Sequence, residues 1–345
     1  MKTKPITKFA ILALSLVLVA CAGGGSEEAG CPAIDGREIN VVATTPMIGE
    51  FVSQVGGEKI NLTVLMPPEA NPHTYEPAPQ DAGTIAEADL VFYTGLLYEP
   101  AALVKLLENS ACSTDILSEV GESVFPIEFK EGGHDDHDDE EGHDDEEGHD
   151  DEEGHDDEEG HDDHEGHNHG AYDPHFWFDP SRVAYAAEYI ESRLIEFDPE
   201  NESSYKSSAD SFVSELNDLT KQVSELISTV PSQNRKLITT HESLGYLEAK
   251  FGLEVLSTII PSLNSANEIS PSDLAGVIDV IEDNNVKVIF IESEAPSVYS
   301  ETIVAETGIK PVTGLYVETL KPGQSYSEFL ISNVTLITEN LQDTD

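Results

Sequence analysis

The sequence predicts an α/β protein of two lobes, each a parallel sheet flanked by helices, joined by one long helix. Two observations carry this expectation. Short β-branched runs alternate with helix-length amphipathic stretches in both halves of the chain, and strands separated by crossover helices pair in parallel. Between the halves, residues 199–229 place Phe212, Leu216, Leu219, Val223 and Leu226 at three- and four-residue spacing before Pro231, the stripe of a single amphipathic helix.

The elements follow in order. Lys2, Lys4 and Lys8 precede an apolar run over residues 9–20. That run is shorter than the roughly 20 residues a membrane-spanning helix needs, so it reads as a signal-peptide core. It ends in Leu18-Val19-Ala20-Cys21, which resembles a lipoprotein processing site and would leave Cys21 as the lipidated first residue. Residues 21–37 form a tether opened by a glycine-rich run. Strands are expected at 39–44, 60–65 and 90–93, and helices at 46–57, 79–87 and 100–108, within a first lobe spanning 38–180. A helical connection occupies 181–231 and includes the long linking helix. In the second lobe, 232–345, strands are expected at 236–240, 255–260, 286–291 and 311–316. Helices are expected at 242–250, from Pro271 behind a Ser270 cap, and at 326–341.

Charge narrows the function. The chain carries a formal −51, and 22 of its acidic residues lie at 131–170 with no Lys or Arg, leaving −29 elsewhere. Nucleic-acid binding needs cationic neutralisation of phosphates and is excluded on this balance. The same charge attracts cations. The 131–170 tract repeats Gly-His-Asp-Asp-Glu-Glu from Gly142, Gly148 and Gly154. With almost no apolar residue it is expected to be a disordered loop. Its histidines, His134, His137, His143, His149, His155, His161, His164, His167 and His169, suit a low-affinity metal collector; a solubilising loop is the plainer alternative.

Only three of the twelve histidines lie outside that tract: His73, His175 and His241. Imidazole is the commonest metal ligand among side chains. His73 lies in a loop shortly after a strand and His241 directly follows one; in open α/β sheets ligands bind beyond the carboxyl ends of strands. Taken singly, His73 also fits a solvent-facing loop residue, His175 a structural hydrogen-bonding partner near Trp177, and His241 a buried, satisfied histidine. Asp173 and Asp179 read as turn caps around Pro174 and Pro180. Cys31 and Cys112 are an even pair in an exported chain and are permitted to bond; sequence alone leaves their pairing open. No histidine lies near either in sequence, so a catalytic thiol lacks an activating partner.

Three motifs, Asn71-Pro72-His73-Thr74-Tyr75-Glu76-Pro77, Asp173-Pro174-His175-Phe176-Trp177-Phe178-Asp179-Pro180 and Thr240-His241-Glu242-Ser243-Leu244-Gly245-Tyr246, resemble the histidine motifs of the zinc/manganese ABC-transporter solute-binding proteins. The resemblance runs from about residue 39 to the C-terminus and includes the order of the motifs and the acidic histidine loop before the second. It implies two lobes bridged by a rigid helix, with one metal ion in the cleft. His73 and His175 would be ligands from the first lobe and His241 from the second. The family's last ligand is typically an aspartate within aromatic-x-Asp-Ser-Leu. The matching stretch here, Tyr316-Val317-Glu318-Thr319-Leu320, places Glu318 there, with Glu292 as competitor and Glu242 or a water also open.

Three imidazoles and one carboxylate suit the tetrahedral preference of zinc, whereas manganese leans on oxygen ligands. In the family's manganese members the third ligand position is commonly acidic, and this chain has His241. The expectation is an extracytoplasmic, lipid-anchored zinc-binding protein, a monomer that delivers its ion to a membrane ABC permease driven by a cytoplasmic ATPase. A manganese-binding member and a surface adhesin or metal-sequestering lipoprotein are the alternatives. A secreted zinc hydrolase fits less well, because no His-Glu-x-x-His element is present and Glu318 would close the open coordination position that catalysis needs. The protein is therefore not expected to be an enzyme.

Overall fold

Among the described residues, eight strands form two sheets whose composition follows their burial. The central strands β1 (Ile39–Ala43), β3 (Leu90–Tyr93), β5 (Lys236–Thr239) and β7 (Val288–Glu292) are almost wholly buried. Such near-continuous apolar runs are what a parallel sheet covered on both faces requires. The outer strands β2 (Ile60–Val64), β4 (Leu117–Glu119), β6 (Glu254–Thr258) and β8 (Lys310–Leu315) are shorter or more exposed. The sheets run β2-β1-β3-β4 and β6-β5-β7-β8, with all pairs parallel. The computed structural model describes residues 31, 34, 36–129, 172–260, 271–293 and 298–342. Cys21 and the histidines of the 131–170 tract lie outside them.

The helices are α1 (Pro46–Gly56), α2 (Pro79–Ala86), α3 (Ala101–Ser110), α4 (Pro180–Phe197), α5 (Glu202–Ser228), α6 (Gly245–Phe251), α7 (Pro271–Asn284), α8 (Val298–Thr307) and α9 (Tyr326–Gln342). Thr45 caps α1 by accepting from the Ile48 amide, and Asp179 caps α4 by accepting from the Ser181 amide, each satisfying an otherwise unpaired donor. The 27 residues of α5 make a rod of about 40 Å packed against α1, α4 and α9. The helical connection is two helices, α4 and α5, turned at Asp198, whose carboxylate accepts from Asn201 and Tyr205. Residues 242–244 were expected to be helical; they are non-helical, with Glu242 in a bend, and α6 begins at Gly245. Among the described residues no helix is long and apolar enough to cross a membrane.

Strand alternation splits the core into three. Ile39, Val41, Leu90 and Phe92 of the first sheet, and Leu237, Val288 and Phe290 of the second, face one continuous cluster with α1, α4, α5 and α9. Val42 and Val91 turn the other way onto Leu103 and Leu107 of α3, and Ile238 and Ile289 onto Val277 and Ile281 of α7. Each sheet thus has its own outer helices, while the inner faces share a core. Cys31 is bonded to Cys112 just beyond α3, with Cα atoms 5.0 Å apart.

Candidate metal centre

Local turns position His73 and His175, and partners from distant segments position His241 and Glu318. Asn71 accepts the His73 amide at 2.9 Å, and Pro72 opens the tight turn that carries the histidine. Asp173 accepts from both the backbone amide (2.8 Å) and Nδ1 (2.7 Å) of His175. His241 follows β5; Glu292, at the end of neighbouring β7, accepts its amide at 3.2 Å and also its Nδ1. Glu318 follows β8, next to Val317, whose carbonyl accepts from Trp177 Nε1 at 2.8 Å. The Tyr98 hydroxyl lies 2.9 Å from Glu318 Oε2 and 3.0 Å from its backbone carbonyl.

These devices aim four donors at one point. Glu318 Oε1 lies 3.1 Å from His73 Nε2, 3.4 Å from His175 Nε2 and 2.8 Å from His241 Nε2. One donor atom from each of the four lies within 4.8 Å of all the others. No side chain of the four is more than 5 % exposed. Nε2 of His175 and His241 is buried with no hydrogen bond of good geometry and faces Glu318 Oε1, an arrangement that a cation between these donors would satisfy. Zinc bonds of about 2.0–2.1 Å give a tetrahedron with edges of about 3.3 Å, and the three nitrogen-to-oxygen separations straddle that value. In the neutral imidazoles of His175 and His241, an Nδ1 directed at a carboxylate holds the ring proton and leaves the Nε2 lone pair for a metal.

The electrostatics match. Burial by itself depresses His175, but the Glu318 and Asp173 carboxylates outweigh it and raise its pKa to about 9. His241 is likewise depressed by burial and lifted well above its ordinary value by Glu292 and Glu318. Burial pushes Glu318 upward, yet the surrounding imidazoles, His73 foremost, hold it well below the usual carboxylate range.

The four residues carried over by motif are therefore brought together, two from segments of the first half and two from the second. Glu292, the competing ligand candidate, is not among the converging donors; it lies behind His241, against the opposite nitrogen. Glu242 instead lines a surface groove with Glu128 and Glu248. Asp173 does cap its turn, as expected, and also fixes the His175 ring. Tyr98 was missed: it belongs to no motif and lies 220 residues from Glu318, so nothing local signals it.

Residues 41–340 match the family described as zinc-uptake complex component A, periplasmic. The chain is 28% identical over 343 residues to the high-affinity zinc uptake system protein ZnuA of Bacillus subtilis, covering 96% of each. It is 26% identical over 348 residues to the manganese ABC transporter substrate-binding lipoprotein PsaA of Streptococcus anginosus, covering 98% of this chain and 99% of the relative. Among solved structures, the fold resembles the periplasmic zinc binding protein TroA of Treponema pallidum (TM-score 0.70, 20% identity, 88% of this chain and 99% of that one). It also resembles Fe(III)-bound YtgA of Chlamydia trachomatis (TM-score 0.70, 24% identity, 88% and 98%). With two parallel sheets, a long helix and this family match over most of its length, the chain belongs to the ZnuA family and is an extracytoplasmic substrate-binding component of a metal ABC importer, not an enzyme.

Proposed function

We propose that the protein captures one zinc ion through His73, His175, His241 and Glu318 and delivers it to its permease. The observation that carries this reading is the donor set: three imidazole nitrogens, each 2.8–3.4 Å from a single carboxylate oxygen, Glu318 Oε1. Zinc accepts four such donors; manganese, a harder ion, prefers more oxygen. Manganese is the second reading, supported by relatives named as manganese-binding. Cys21 would tether a monomeric protein to the membrane by lipid, and the histidines at 134–169 would collect ions at low affinity. The first lobe would span 38–180, the helical connection 181–231 and the second lobe 232–345.

Metal content and competition titration of the mature protein test the assignment. One tightly bound zinc is expected, weakened by His241→Ala at least about 100-fold, equivalent to about 2.7 kcal/mol. Preference for manganese in the wild type, or an unchanged zinc affinity in the variant, would reject it.

A further inference from the structure

We propose that Tyr98 is a specificity-determining residue, which holds Glu318 to one-oxygen coordination and so biases the site towards four-coordinate ions. The proposal rests on the zinc reading of the site and adds to it the reason one ion is preferred.

Glu318 has two carboxylate oxygens and uses them differently. Oε1 faces the three imidazoles, while Oε2 lies 2.9 Å from the Tyr98 hydroxyl. A glutamate free to rotate can offer both oxygens to a cation, adding a fifth donor. An oxygen that accepts from a buried phenol is turned away from that role. The restraint has more to do here than it would for an aspartate, because the extra methylene adds a rotatable bond between backbone and carboxylate.

The placement of Tyr98 is built rather than incidental. The three residues before it, Gly95, Leu96 and Leu97, all have positive φ (77°, 53° and 60°). Leucine enters that region only where surroundings force it. Two carboxylates supply the force. Buried Glu99 accepts from the amides of Thr94 (2.6 Å) and Gly95 (2.9 Å) and from the Thr44 hydroxyl (2.7 Å). Glu119 accepts from the Leu96 amide at 2.8 Å and from the Tyr93 hydroxyl at 3.2 Å. A Cβ at Gly95 would come within 2.0 Å of Glu119 Oε1, so the loop closes only on glycine. Its product is a phenol packed edge-on to His73, with ring centroids 4.9 Å apart, and to Trp177, at 5.3 Å.

The test is competition titration of zinc against manganese on wild type and Tyr98→Phe, which removes the hydroxyl and keeps the ring. The manganese-to-zinc affinity ratio should rise at least about tenfold, the scale on which partners of ligand residues act. A ratio within about twofold of wild type, smaller than that scale, overturns the proposal. X-ray absorption of zinc-loaded wild type provides a reading that does not depend on the variant folding. Four donors with one carboxylate oxygen is the expected result, and a fifth donor from the same carboxylate overturns it. A wild type that prefers manganese instead rejects the zinc assignment, while Tyr98 is still judged by the change in ratio.

Discussion

His175 and His241 each meet a carboxylate on the nitrogen that faces away from the cluster, Asp173 in one case and Glu292 in the other. Those carboxylates orient the rings and make them more basic, which strengthens them as ligands but also makes protons stronger competitors. The sign follows from His175, whose pKa rises from 6.5 to about 9 because Glu318 and Asp173 outweigh its burial. A raised folded-state value means that its protonation stabilises the metal-free fold fully below 6.5 and that this contribution is lost as pH rises through about 9. The thermal midpoint of the metal-free protein should therefore fall across that window while zinc affinity rises, and calorimetry should register proton release on binding. Zinc affinity independent of pH over the same range would contradict the arrangement. Asp173 was visible in the sequence as a turn former, yet its hold on the ring depends on the rotamer that folding imposes.

Among the elements, α5 has the simplest rationale. Tyr205, Ala209, Phe212, Leu216, Leu219, Val223 and Ile227 are its buried positions; Phe212, Leu216, Leu219 and Val223 belong to the stripe that predicts the helix, while Ile227 takes the buried place expected of Leu226, which is only partly buried. Leu219 is 2 % exposed within the shared core. Leu219→Ala should cost about 2–5 kcal/mol, read as a lower denaturant midpoint in the metal-free protein. A loss under about 0.5 kcal/mol, the range of ordinary surface changes, would mean the helix does not carry the core. Elements with weaker signals escaped the sequence reading: β4 has three residues, and α8 lacks a one-sided apolar stripe. The non-helical stretch at residues 242–244 has a long-range cause, since the His241 amide and the Ser243 hydroxyl both face Glu292 on another strand.

At the scale of the molecule, the two sheets are bound through one apolar cluster that runs from β1 to α9, and polar ties reinforce it. The Tyr246 hydroxyl donates to the Asp173 carbonyl at 2.9 Å and accepts from the Ile127 amide at 3.2 Å. The Trp177 carbonyl accepts from Tyr326 at 2.7 Å. A core of this continuity favours small adjustments over wide opening. The ends that flank the acidic tract meet in the Glu128–Tyr172 bridge, so a short turn can join them. Deleting residues 131–170 should therefore leave one tight zinc per protein, with affinity changed by less than about tenfold, because the entropy of closing a connection between paired ends varies only slowly with its length. The number of weakly held ions should fall. Equilibrium dialysis distinguishes this from loss of the tight site, which would make the tract part of it.

Periodicity is a local property, so the strands, the long helix and the three histidine turns were legible from residues within a few positions of one another. The resemblance placed Glu318 at the last ligand position and kept Glu292 as its competitor. Tertiary structure sets the two apart: His73 and Glu318 are 245 residues apart and meet at 3.1 Å, whereas Glu292 ends on the strand beside β5 and reaches the back of His241. Both are acidic residues near strand ends, and in the sequence only the motif around Glu318 tells them apart. Only the order and register of the parallel sheets, which depend on contacts between distant segments, assign one carboxylate to the cluster and the other to orienting an imidazole.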